Sequence, residues 1–404
     1  MQGFVSILEP FFAFSPENAQ TDYESREELL VQTKNLAYSA SLAFCVFLLQ
    51  PLQLIAAAEI SPSQTVIVIS PKAKVFAEDK PIGEAAPGSI LYYSKTSDKW
   101  LMVPRYRGWV NIEDVVPIEV AEKHFSSIIE SKPTAEAYHH RGLVHLHFEK
   151  ITEALADFEK SIELGNKSPA IYINRGNALQ KQGEVTRAVA DFTEAIKLNP
   201  DLGRAYDNRS AALAELEQYP ESLADSNMAI KLDPGYPEAY NNRGVTLTHL
   251  KQYPKAIADF DKALELFPKY ADAIANRAIA KNESGDAVGA IADYELALKL
   301  IPDSPSFENE LAWILATSPT AKVRDPKRAV ELAERSTKAV ERGEARFLDC
   351  LAAAYASAGR FDDAVKTAAE AVKLFGEDPD AKAAFDRSEL YRAKKPFVEV
   401  PGGK

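Results

Sequence analysis

The chain has 404 residues, enough for two to three domains at about 150 residues each. Its composition, 46% hydrophobic and 26% charged, is that of a globular protein and excludes a disordered or polytopic membrane chain. The net charge of −12, from 47 basic and 59 acidic residues with no long basic run, argues against nucleic acid as a partner. Two cysteines, Cys45 and Cys350, cannot build a disulfide framework or a four-thiolate zinc site.

Residues 1–58 read as an amino-terminal extension that ends in an export segment. Leu36 to Ala58 carries no charge, Lys34 stands just before it, and Ala56-Ala57-Ala58 supplies small residues for cleavage before Glu59. A run of this length also reaches across a bilayer, so 36–58 is alternatively an uncleaved membrane anchor. Gln50, Pro51 and Gln53 interrupt it and favour the cleaved signal. Ahead of it, six acidic residues face only Arg26, unlike the short positive lead of a signal, which is consistent either with a translation start near Leu30 or with a cytoplasmic tail. Bulky Phe44 before Cys45 disfavours lipidation. The expected location is therefore the periplasm or cell envelope.

Residues 61–117 differ from everything after them. The runs Gln64–Ile69, Ser89–Tyr93, Trp100–Val103 and Gly108–Val110 are β-branched and aromatic between turn residues, so they read as strands of a small barrel. The order Ile82-Gly83, Pro87-Gly88, Lys99-Trp100 and Gly108-Trp109-Val110 resembles bacterial SH3-like domains. That resemblance implies a cell-wall or peptide ligand, with Tyr92, Tyr93, Trp100, Tyr106 and Trp109 as groove residues. A unit this small also needs aromatics for its own core.

From Ala135 the chain matches itself at a period of 34, with units starting at Ala135, Pro169, Gly203, Pro237 and Ala271. Position 4 is aromatic in four units (Tyr138, Tyr172, Tyr206, Tyr240), positions 8 and 20 are always small, and position 24 is Phe158, Phe192, Ser226, Phe260 and Tyr294. Pro200, Pro234, Pro268 and Pro302 close four units. Small residues let two antiparallel helices approach, aromatics fill the space between successive pairs, and proline stops the second helix. This pattern resembles the tetratricopeptide repeat (TPR) closely, and it implies a mainly α-helical superhelix. Two weaker units follow, one around Glu308–Ser336 with extra residues between its helices and one over Ala345–Asp378. A lone helix over Ile118–Ser131 and a cap over Ala381–Lys394 complete a solenoid spanning 118–394, leaving 395–404 as a tail.

No nucleophile–base constellation or phosphate-cradling loop is visible, so no enzyme, cofactor or metal site is expected. The histidines at 124, 139, 140, 145 and 147 lack the i, i+4 spacing of a metal pair. Position 7 is arginine and position 23 aspartate in all five regular units, which predicts a structural ladder of ion pairs between neighbouring helices.

Position 6 is Asn174, Asn208, Asn242 and Asn276. Such a ladder resembles the peptide-gripping asparagines in the TPR module of O-linked N-acetylglucosamine transferases, and the resemblance implies a concave, peptide-binding track. A carboxamide both donates and accepts, which suits a peptide unit. An asparagine that merely supports its own helix is the competing reading. The lysine and asparagine clamp of TPR co-chaperones is absent, since position 5 is His139, Ile173, Asp207, Asn241 and Ala275. The expectation is a non-enzymatic scaffold binding an extended polypeptide, the alternative a cell-wall module with the repeats as spacer.

Overall fold

The computed structural model describes residues 65–70, 73–77, 80–86 and 88–399. The extension, its export segment, Cys45 and Pro87 of the SH3-like pattern lie outside the described residues. Packing divides the chain at Pro200/Asp201 into two compact units, taken here in turn.

The first unit opens with eight strands, β1 (Thr65–Val68), β2 (Ala73–Ala77), β3 (Lys80–Ala85), β4 (Ile90–Tyr92), β5 (Lys95–Ser97), β6 (Trp100–Val103), β7 (Gly108–Asn111) and β8 (Val115–Pro117). They form a three-stranded sheet in the order β4-β1-β8 and a five-stranded sheet in the order β3-β2-β7-β6-β5. Four of these strands are the expected ones. Of the other four, β3 and β5 were hidden because Pro81, Gly83 and the exposed Lys95-Thr96-Ser97 run carry no apolar alternation. Alternation in β1 sends Val66 and Val68 into the β core with Val75, Leu91, Leu101 and Val110. Ile67 points the other way, into a second cluster with Ile118, Phe125 and Val144. Being buried on both faces is why Val66-Ile67-Val68 is apolar without a break. Gly108 is required by contact, since a Cβ there would sit 2.5 Å from Val75 Cγ1.

The remainder of this unit is helical: α1 (Ile118–Ser131), the pair α2 (Ala135–His147) and α3 (Ile151–Glu163), and the pair α4 (Pro169–Lys181) and α5 (Val185–Leu198). A Cβ on Gly142 would lie 2.5 Å from the Phe158 ring, and one on Gly176 would lie 2.6 Å from the Phe192 ring. Position 8 is glycine in these two repeats because the position-24 ring of the same repeat occupies the space a Cβ would take.

The second unit holds α6 (Gly203–Glu215), α7 (Tyr219–Leu232), α8 (Pro237–His249), α9 (Tyr253–Leu266), α10 (Ala271–Glu283) and α11 (Ala287–Leu300), three further pairs. Then come α12 (Pro305–Thr317) and α13 (Pro326–Ala339), α14 (Ala345–Ser357) and α15 (Phe361–Phe375), and the closing α16 (Asp380–Arg392). Gly244 meets Phe260 at 2.6 Å in the same way. The repeat of α6 and α7 departs from this scheme. Ser210 and Ser226 stand where three other repeats have glycine and phenylalanine, and Ser210 Oγ lies 3.1 Å from Ser222 Oγ and 2.9 Å from Ser226 Oγ. Ser222 in turn reaches Thr246 Oγ1 at 2.8 Å, so the buried hydroxyls satisfy one another.

One repeated feature has no residue signature. Position 15, in the turn between the paired helices, has positive φ at Glu149, Gly183, Glu217, Lys251 and Gly285. Only two of the five are glycine, so the turn geometry imposes a left-handed residue whichever side chain is present.

Candidate peptide-binding groove

The charged ladder forms within each repeat. In all five regular units the position-7 arginine donates Nε to one oxygen of the position-23 aspartate at 2.6–2.9 Å and Nη2 to the other at 2.6–2.8 Å. These are bidentate forks, and the aspartates are 4–8% exposed, so the pairs are far from solvated surface bridges. Nη1 also reaches back to the preceding element, from Arg141 to Ser126 at 3.1 Å, from Arg243 to Asn227 at 2.8 Å and from Arg277 to Asp261 at 2.6 Å. The position-4 tyrosines have a further role beyond filling space. Tyr138, Tyr172, Tyr206 and Tyr240 are half-buried and lie 5.5–5.9 Å beneath the guanidinium carbon of their own repeat's arginine. The arginine needs a face to stack on, and the residue one helical turn earlier provides it.

Position 6 behaves differently. In the first unit Asn174 Nδ2 lies 2.9 Å from His139 Nε2, the position-5 residue of the preceding repeat. Burial pushes the His139 imidazole down to about 4, with His140 adding to the shift. The ring is therefore neutral near pH 7, and Nε2 accepts from the amide.

In the second unit the same link recurs. Asn242 Nδ2 donates to Asp207 Oδ1 at 2.9 Å, and Asn276 Nδ2 donates to Asn241 Oδ1 at 3.0 Å. Asn241 Nδ2 continues to Asn242 Oδ1 at 3.3 Å, so a relay runs from Asn276 through Asn241 and Asn242 to Asp207. Burial raises the Asp207 carboxyl to about 7, against the hydrogen bonds from Asn242 and Tyr236 that pull it down. Asp272, at position 2 of the next-but-one repeat, is raised to about 6 by burial.

These links alter the reading of the four asparagines. Asn174, Asn208 and Asn242 are half-buried, whereas Asn276 is 2% exposed with its amide committed to Asn241. Asn276 is therefore a closed rung. The position-5 partners His139, Asp207 and Asn241 went unnoticed in the sequence because no one residue type recurs there. Of the aromatic residues expected to line a groove on the β unit, Tyr93 is 4% exposed and belongs to its core, where Tyr106 also packs. Trp100 meets Phe76 edge to face at 5.2 Å.

Comparison with known proteins agrees with the repeat fold. Residues 169–202 and 237–270 match one tetratricopeptide repeat family model, and residues 135–166 match a second. A search of the curated proteins finds no match. Among solved structures, the Cut9–Hcn1 hetero-tetramer of the APC/C is 21% identical with a TM-score of 0.52, over 59% of this chain and 46% of that one. This chain thus spans just under half of that protein's length. Yeast Tom70 is 18% identical over 69% of this chain and 59% of its own, TM-score 0.49. A tetratricopeptide repeat protein from Parabacteroides merdae is 16% identical over 66% of this chain and 99% of its own, TM-score 0.47. At these identities the likeness concerns the fold. Among the described residues, no helix is long and apolar enough to cross a membrane. The sixteen helices from Ile118 to Arg392 form a tetratricopeptide-repeat solenoid, preceded by a small β unit of two antiparallel sheets.

Proposed function

We propose that this protein is an exported interaction scaffold whose repeats hold an extended polypeptide, with Asn174, Asn208 and Asn242 as the rungs that meet its backbone. The observation that carries the reading is how the carboxamides are held. Asn174 and Asn242 each commit Nδ2 to the preceding repeat, at 2.9 Å in both cases, which fixes the side chain and turns it into a presenter of acceptors. A carbonyl oxygen has two lone pairs, so even Asn242, whose oxygen already accepts from Asn241, keeps one. Such rungs take backbone N–H groups from a partner irrespective of its side chains. Export rests on the uncharged Leu36–Ala58 segment, and an SH3-like identity of the β unit rests on its Gly-Trp-Val closing strand.

Selection of random peptides on the immobilised full-length protein tests the groove. Peptides so obtained are expected to lose at least tenfold in affinity on N-methylation of individual backbone amides. They should lose a similar factor on the triple substitution N174A, N208A and N242A, since each neutral hydrogen bond contributes about 0.5–1.5 kcal/mol. Peptides that tolerate both changes would show that recognition lies elsewhere on the protein.

A further inference from the structure

Beyond α16 the chain turns back as an extended segment and lies on α12. Glu399 N donates to the carbonyl of Thr317 at 2.8 Å, taking one of the acceptors that the end of α12 leaves unpaired. Trp313 Nε1 donates to Glu399 Oε2 at 2.9 Å. The Phe397 ring lies 5.9 Å from the Trp313 ring, and the Arg387 guanidinium sits 5.5 Å from both. Arg387 is itself held by Asp349 through bonds of 3.1 and 2.5 Å. Phe397 also packs on the alanine-rich cluster of α14 and α15.

The seat has the character of a recognition site. In the unit starting at Pro305, Glu310, Trp313 and Thr317 are positions 6, 9 and 13, which share one helix face by their i, i+3, i+7 spacing. It is the face that carries asparagine in the preceding repeats. The segment is read as an extended chain would be: Phe397 and Glu399, two residues apart, both turn to the helix, while Val398 between them is 39% exposed. Pro396 holds Lys395 extended. The backbone meets Thr317, while the Phe397 ring and the Glu399 carboxylate both meet Trp313, at its ring and its Nε1–H.

We propose that Lys395–Glu399 is an internal ligand, seated in cis on a docking site for extended segments of the pattern aromatic–x–acidic, and that it excludes other polypeptides of that pattern from the site. The proposal does not depend on the asparagine rungs, which lie in earlier repeats. Only a few residues separate the seated segment from α16, so its effective concentration is on the order of millimolar. A competing segment must therefore bind well, or find the tail displaced.

The test uses the full-length chain and a fluorescein-labelled peptide of the sequence from Ala393 to Lys404. Wild type is expected to bind the peptide at least tenfold more weakly than the variant F397A/E399A, whose own tail no longer competes. Tight binding by that variant should be lost for a peptide carrying Phe397→Ala, and reduced for one carrying Glu399→Gln, which tests the Trp313 bond without altering the protein. Equal affinity of wild type and variant, absence of binding to the variant at millimolar peptide, or equal binding of a scrambled peptide would each overturn the proposal.

Discussion

The arginine at position 7 does three things at once, and its position in the repeat explains each. It forks onto the aspartate of the paired helix, stacks on the tyrosine one turn earlier, and in two repeats bonds back to the preceding one. Removing it leaves a nearly buried carboxylate without its cation, so Arg243→Ala is expected to cost about 2–4 kcal/mol in urea unfolding. Lys382→Ala, which breaks the exposed Lys382–Asp386 pair, should cost no more than about 0.5 kcal/mol. Similar losses for the two would show that the forks contribute no more than surface pairs. Asp207 gives a pH dependence of defined sign. Its folded value, about 7, lies above its unfolded one, so the protonated form favours folding. That contribution is complete below about pH 4 and is lost as pH rises through 7. Asp207→Asn keeps an oxygen for Asn242 and cannot ionise. It is therefore expected to stabilise the protein at pH 8 by on the order of 2 kcal/mol, with little change at pH 4. A variant with an unaltered stability–pH slope between 4 and 8 would remove Asp207 as the source.

At the scale of the element, each repeat is an agreement between two positions on facing helices. Glycine at 8 accompanies phenylalanine at 24 in three repeats, where a Cβ would come within about 2.6 Å of the ring, whereas the fifth repeat combines Ala278 with Tyr294. The pair α6 and α7 reaches the same close approach with Ser210, Ser222 and Ser226 joined by hydrogen bonds. Ser226→Phe alone should therefore overpack against Ser210 and cost about 1–3 kcal/mol. Ser210→Gly in the same chain should recover most of that loss, because it restores the arrangement of three other repeats. A double-mutant cycle measures this coupling, and simple additivity of the two changes would refute the shared-space argument. The period of 34 made these positions legible, since the same residue type recurs wherever the same space must be filled. The links between repeats were less legible. Asn174, Asn242 and Asn276 stood out as a column, but their partners His139, Asp207 and Asn241 share only the ability to accept a hydrogen bond.

Across the whole chain, legibility followed how local the determining contacts are. The paired helices announce themselves within each 34-residue stretch. Strand β3 did not, because Lys80–Glu84 is exposed throughout and its place rests on pairing with β2 rather than on an alternation of its own. The seat of Glu399 on Trp313, 86 residues away, carries no sequence signal at all. The proposed export segment lies outside the described residues and rests on local composition alone. Gln50, Pro51 and Gln53 cut the uncharged run to an apolar core of about a dozen residues, shorter than the roughly 20 that a spanning helix needs. Ala56-Ala57-Ala58 then places small residues where a signal peptidase requires them, with no comparable exit after the apolar run. Protein recovered from the envelope fraction is accordingly expected to begin at Glu59 on amino-terminal sequencing. Recovery of chains that retain Leu36–Ala58 would make the segment an anchor, and the scaffold would then be tethered to the membrane ahead of β1.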